Sequence, residues 1–166
     1  MKPHDTPIGL QLAHTSKAVS RAFNDALGEA GGSIPTWLIL TSLMGETWPA
    51  QHRLARAMNI EGPTLTRHLD GLEEAGLVVR RREADDRRAV RVELTDAGRA
   101  KHAELRRAVI AFDKRLRAGL SDDEISALRA LLKRLEGQLR RDDRLPPTSI
   151  GHVHRVVLAV RAGDAE

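Results

Sequence analysis

The sequence predicts a mainly α chain carrying one small β-hairpin. Three observations predict it. Apolar residues recur at helical spacing through most of the chain, the period drops to two over residues 77–94, and glycine or proline marks the boundaries.

Residues 1–7 hold two prolines and no periodicity, as in a frayed start. From Ile8, the residues Leu12, Val19, Phe23, Ala26 and Leu27 share one helix face, and Gly28, Gly31 and Gly32 end it. A second helix follows Pro35, a residue suited to a first turn. It carries Trp37, Leu38, Leu40, Leu43 and Met44 and stops near Gly45. A short third helix spans Gln51–Met58, with Leu54, Ala55 and Met58 inward. Residues 59–62 form a turn. Pro63 opens a fourth helix with the stripe Leu65, Leu69, Leu72, and Gly76 stands where a C-terminal glycine belongs.

The alternation then reads as two strands, 77–79 and 90–94, around a charged tip at 80–88. Thr95 starts a long helix with the stripe Leu105, Val109, Phe112, Leu116. Ser121 and Glu124 form a capping box for the last helix, whose stripe is Ile125, Leu128, Leu132, Leu135, Leu139. Pro146 and Pro147 end it.

Composition narrows the function. At 166 residues the chain is one domain or two very small ones. It contains no cysteine, which excludes disulfides, thiolate metal sites and thiol catalysis. Phe23, Trp37, Trp48 and Phe112 are the whole aromatic complement, too few for base stacking on single strands. The longest late apolar run, 156–160, falls far short of the ~20 residues that span a bilayer. No apolar signal segment opens the chain, so a cytoplasmic protein with no membrane partner is expected. No phosphate loop, nucleophile elbow or H-E-x-x-H motif is present, so no catalytic residue and no cofactor is expected. His152 and His154 are the one close histidine pair, and two histidines do not make a metal site. The net charge is +4, and its basic side is mostly arginine. Arginine suits phosphate and guanine.

A short helix, a tight turn, a second helix and a basic hairpin compose a winged helix-turn-helix. A helix fits the major groove of B-DNA, where all four base pairs differ. On the fourth helix the leucine stripe is the buried side, and Thr66, Arg67 and Asp70 point away from it, with Thr64 and Gly71 beside them. Arg80, Arg81, Arg82, Arg87, Arg88 and Arg91 crowd the hairpin, more than a solvated turn requires. A tip arginine can enter a narrow minor groove, and Asp85 and Asp86 stand ready to orient it. The DNA-binding candidates are Thr64, Thr66, Arg67, Asp86, Arg87 and Arg88.

The stretch 59–98 resembles the recognition helix and wing of MarR-family regulators, especially the SlyA-like branch. Asp86-x-Arg88-x5-Leu94-Thr95-x-x-Gly98 matches that family's wing pattern. The resemblance covers roughly residues 8–142. It implies a homodimeric transcription regulator on a near-palindromic double-stranded DNA operator. By the resemblance, Arg67 contacts the major groove, Arg87 reaches the minor groove and Asp86 orients the wing. The winged lobe is then 46–95, and 8–30 with 96–142 form the helical dimerisation region. Residues 146–166 extend past the family core, as an added helix, a strand or a tail. One departure is Pro49-Ala50-Gln51, where the family has Ser or Thr before Gln. That substitution removes a side-chain cap.

The resemblance also implies an effector, a small aromatic acid or phenol that releases the DNA. Lys17, Trp37 and His68 match a SlyA-like carboxylate pocket, and His14 lies one turn from Lys17. A cation, a ring and an imidazole suit an aromatic carboxylate. The competing expectation is an architectural DNA-binding protein, or a dimeric regulator without a small-molecule pocket.

Overall fold

The computed structural model describes residues 6–45, 51–58, 60–82 and 90–140. The elements run α1 (Ile8–Glu29), α2 (Ile34–Gly45), α3 (Gln51–Met58), α4 (Gly62–Glu74), β1 (Val78–Arg82), β2 (Val90–Leu94), α5 (Asp96–Leu116) and α6 (Asp122–Arg140). The architecture is a winged helix-turn-helix: α3 and α4 form the helix pair, and the antiparallel β1–β2 hairpin forms the wing.

Helix ends follow local chemistry. α4 ends in a Schellman turn: Gly76 has φ 70°, its N–H bonds the Glu73 carbonyl, and the Leu77 N–H bonds the Leu72 carbonyl. Ser121 and Glu124 form the expected reciprocal cap of α6: the Glu124 N–H donates to Ser121 Oγ and the Ser121 N–H to Glu124 Oε2.

The hairpin departs from the alternation reading at one point. The apolar run at 77–79 marks only the buried root of β1, which continues through Arg82 by pairing Arg80 with Val92, Arg81 with Arg91 and Arg82 with Val90. Backbone ladder bonds need no apolar side chain, so the strand runs on into charged sequence.

The core lies where α2 meets α4, α5 and the hairpin. Leu27, Trp37, Ile39, Leu40, Leu54, Leu65, Leu69, Val78 and Leu105 are almost wholly shielded. α2 is buried on more than one face: Ile39 is enclosed along with Trp37 and Leu40, and Met44 near its end is 45% exposed. A helix surrounded by others shows no single stripe. Its buried Thr41 hydroxyl donates to the Trp37 carbonyl at 2.7 Å and so needs no outside partner.

The outer helices are different. α1 buries Leu27 alone, and meets α5 through Phe23 and Phe112, whose ring centroids are 5.1 Å apart. Among the described residues of α6 only Ile125 is buried.

One joint locks the lobe to α5. The Thr95 hydroxyl donates to the Gly76 carbonyl at 2.7 Å and accepts the Gly98 N–H at 3.0 Å, while the Thr95 N–H bonds the Leu77 carbonyl. A Cβ on Gly98 would stand 2.0 Å from the Leu77 oxygen, so only glycine fits. The Leu94-Thr95-x-x-Gly98 pattern thus has a steric and a hydrogen-bonding cause.

A second joint pairs α5 with α2. The His102 imidazole stacks on Trp37, with ring centroids 5.0 Å apart and planes 6° from parallel. His102 is buried, and its Nε2 has no hydrogen-bond partner among the described residues. Burial, then the Arg106 charge, hold its pKa below the ordinary value of 6.5.

Gly98→Ala destabilises by about 1–3 kcal/mol, the usual cost of forced overpacking. Gly71→Ala, with open space around the added methyl, gains about 0.5–1 kcal/mol from helix propensity. Urea unfolding of both variants checks the opposite signs. For His102, a depressed folded-state pKa means the unfolded chain binds more protons once pH falls below about 6.5. Its contribution is therefore full above that value and declines on acidification, by at most about 1.4 kcal/mol per pH unit. Urea midpoints between pH 7.5 and 5.5 should fall less steeply in His102→Leu than in wild type.

Candidate nucleic-acid interface

α4 has a buried and an outward side. Leu65, Leu69 and Leu72 face the core, and Arg67 stands exposed between them in sequence. Arg67 makes no ion pair or hydrogen bond with another described residue, so its guanidinium is available to an external acceptor. Thr64 and Thr66 are half-buried. Pro63 lies in the first turn, no side chain caps the N-terminus, and that turn holds no acidic residue. The N-cap residue is Glu61, whose carboxylate makes no capping hydrogen bond.

α3 packs against α4. Gln51 Nε2 donates to Thr66 Oγ1 at 2.7 Å, and Thr66 Oγ1 donates to the Gly62 carbonyl at 3.0 Å. Gln51 was not singled out from sequence, because a polar residue at a helix start has no periodic signature. Arg53 and Arg56, also on α3, are exposed.

The arginines at the wing's root do a different job from the one their number suggested. Arg80 is clamped to α4. Its Nε donates to Glu73 Oε2 at 2.9 Å, its backbone N–H donates to Glu73 Oε1 at 3.0 Å, and its Nη2 meets Asp70 Oδ1. Hydrogen bonds from the Arg80 side chain, then from its backbone, hold the Glu73 carboxyl below its usual range, and the two carboxylates push the Arg80 pKa up. Glu93 takes Arg81 at 3.3 Å and Arg91 at 3.9 Å. Arginine abundance in the hairpin therefore partly reflects carboxylate partners on α4 and β2. Asp86, Arg87 and Arg88 lie outside the described residues.

The effector candidates are spread over the fold. His14 and Lys17 are exposed on α1, His68 is half-buried on α4, and Trp37 is 1% exposed behind His102. An open groove of about 630 Å³ lies between the end of α1 and α5, lined in part by Ala30, Lys101, Glu104 and Arg107 and by none of those four. Lys101 Nζ in it donates to the Ala30 carbonyl at 3.3 Å and pairs with Glu104. Among the described residues no group of histidines and carboxylates is placed to hold a metal, and no helix is long and apolar enough to cross a membrane.

Known proteins share this arrangement. The MarR family model matches residues 33–90, from the start of α2 to the start of β2. The transcriptional regulator PA3341 is 33% identical, with 81% of this chain and 99% of that one covered at a TM-score of 0.65. The repressor CouR, bound to a 23-mer DNA duplex, is 28% identical over 78% of this chain and 92% of its own, with a TM-score of 0.71. CouR of Rhodococcus jostii RHA1 is also known bound to p-coumaroyl-CoA. MarR of E. coli in its reduced form is 26% identical, covering 78% of this chain and 96% of that one at a TM-score of 0.66. An identity of one residue in three along nearly the full length of a regulator, on the same winged helix-turn-helix, makes the conclusion direct: the chain belongs to the MarR family of transcriptional regulators.

Proposed function

We propose that the chain acts as a homodimer that reads a near-palindromic operator in double-stranded DNA and represses transcription until a small aromatic acid, or its thioester, releases it. The single observation that carries the DNA reading is Arg67. It is exposed and without a described partner on a helix whose opposite face is packed, and the Arg80 clamp holds that helix against the wing. Thr64 and Thr66 flank Arg67 toward the N-terminal end of α4, the end that reaches base edges in helix-turn-helix complexes. By the family resemblance Arg87 reaches the minor groove and Asp86 orients the wing arginines, with Arg88 beside them. The lobe at 46–95 does the reading, and the helices at 8–30 and 96–142 hold the pair together.

Support for the dimer comes from α6. Leu128, Leu131, Leu132, Leu135 and Leu139 are each 38–58% exposed along one helix. A continuous apolar stripe of this kind marks an interaction surface. A second copy buries it and spaces two lobes for successive major grooves, about 34 Å apart.

Support for the effector comes from CouR and its p-coumaroyl-CoA complex. We assign recognition of the carboxylate or thioester end to His14, Lys17 and His68. Trp37 takes part only if His102 is displaced from its ring, which would couple ligand entry to the α2–α5 joint.

The decisive experiment is selection of bound duplexes from a random pool, repeated with aromatic acids and acyl thioesters as competitors. A palindrome with half-sites one turn apart supports the reading. Enrichment of A·T-rich DNA without symmetry replaces it with an architectural role. On the selected operator, Arg67→Ala costs about 1–3 kcal/mol of discrimination per half-site, while thermal unfolding is unchanged. Arg80→Ala lowers the unfolding temperature first, because it separates α4 from the wing. Equal losses on operator and random DNA for Arg67→Ala would refute base reading. The double variant Leu132→Glu, Leu135→Glu should sediment as a monomer at micromolar concentration. It should lose about a hundredfold or more in operator affinity, the usual value of a second linked site.

A further inference from the structure

Thr66 has already spent most of its hydroxyl inside the protein. A threonine hydroxyl offers one proton and two lone pairs. The proton goes to the Gly62 carbonyl at 3.0 Å, one turn back in α4. One lone pair receives the Gln51 Nε2 at 2.7 Å from α3. To donate to guanine O6 or N7, or to thymine O4, the hydroxyl would have to abandon Gly62. What is left for a base is one lone pair and the γ-methyl group.

Among the bases of B-DNA only thymine offers a methyl group in the major groove, and the threonine methyl is an established match for it. We propose that Thr66 is a specificity-determining residue that selects thymine through methyl–methyl contact, and that Gln51 is the positioning residue that holds the Thr66 hydroxyl turned away from the base. This rests on the reading of α4 as the helix that enters the major groove. Thr66 adjoins the exposed Arg67, so the same helix offers the groove one apolar and one charged side chain.

The arrangement also explains why Gln51 stands at the start of α3. A glutamine there reaches across the turn, and its amide supplies the donor that Thr66 needs once its own proton points back into the helix. Removing Gln51 leaves a hydroxyl with an unfilled acceptor beside the DNA. That hydroxyl is freer to turn outward and to accept or donate to other bases.

The test uses the full chain and its selected operator, with thymines replaced one at a time by deoxyuridine, which lacks only the methyl group. Wild type should lose roughly fourfold in affinity at one thymine per half-site, the value of one buried methyl group, and nothing at the others. Thr66→Val, which keeps a methyl and loses the hydroxyl, should retain the thymine preference. Thr66→Ser, which keeps both hydrogen bonds and loses the methyl, should bind the two duplexes equally. Gln51→Ala should shrink the thymine-to-uridine ratio without abolishing DNA binding, a readout that a merely structural glutamine would not move. Thermal unfolding of each variant confirms that the comparison is between folded proteins. Wild-type binding indifferent to uridine at every position overturns the Thr66 assignment and leaves the DNA-reading function standing. A full thymine preference in Thr66→Ser overturns it as well. Failure to bind any duplex overturns the function and the assignment together.

Discussion

The fold depends on the joint around Thr95. Four chain segments meet there: the end of α4 at Gly76, the start of β1 at Leu77, the end of β2, and the first turn of α5 at Gly98. One hydroxyl serves as donor to the first and acceptor from the last. A carbonyl occupies the space that a side chain on Gly98 would need. Because the polypeptide enters and leaves the wing through this point, the angle between the DNA lobe and α5 is set by hydrogen bonds and steric contact.

The Arg80 clamp works on the other side of the same lobe. A two-stranded hairpin alone is marginal in water, and this one is held both by its buried Val78, Val92 and Leu94 and by the clamp. Asp70 and Glu73, one turn apart on α4, give Arg80 a bidentate seat, and Glu73 also takes the outward backbone N–H of β1. The helix proposed for the major groove and the wing proposed for the minor groove are thereby held together. A displacement of one carries the other, and two weak groove contacts become a single recognition surface.

Much of this was legible in residues. The leucines of α4 mark its buried face because the 3.6 period is a direct imprint of packing. Gly76 and Ser121 mark helix ends because the backbone groups there have few ways to be satisfied. The seating of Arg80 was not legible. A run of arginines in a hairpin has the same appearance whether each faces a phosphate or a carboxylate, and only the fold brings Asp70 and Glu73 to within reach of one of them. The burial of Ile39 was not legible either, since a helix enclosed by neighbours hides more than one face. Gln51 and Thr66 are fifteen positions apart, and no local pattern links them. Trp37 carried two readings, ring wall of a pocket or core. At 1% exposure under His102 it serves as core in this conformation.

That stack gives the two halves of the molecule a common element. α5 is rooted in the DNA lobe at Gly98 and runs toward α1 and α6, where most apolar surface is still exposed. His102 lies one turn beyond Gly98, where α5 stacks on α2. Its ring is buried by an indole, with a ring nitrogen that has no described partner. Such a group is costly to bury without a partner even while neutral, and more costly once charged. The contact is therefore sensitive to whatever disturbs the imidazole. In the proposed dimer the separation of two recognition helices is the sum of two such orientations. A small change at each α2–α5 contact would be doubled across the pair. A regulator built this way needs no large rearrangement to lose its operator, because recognition helices spaced for one helical turn of DNA tolerate little error in that spacing.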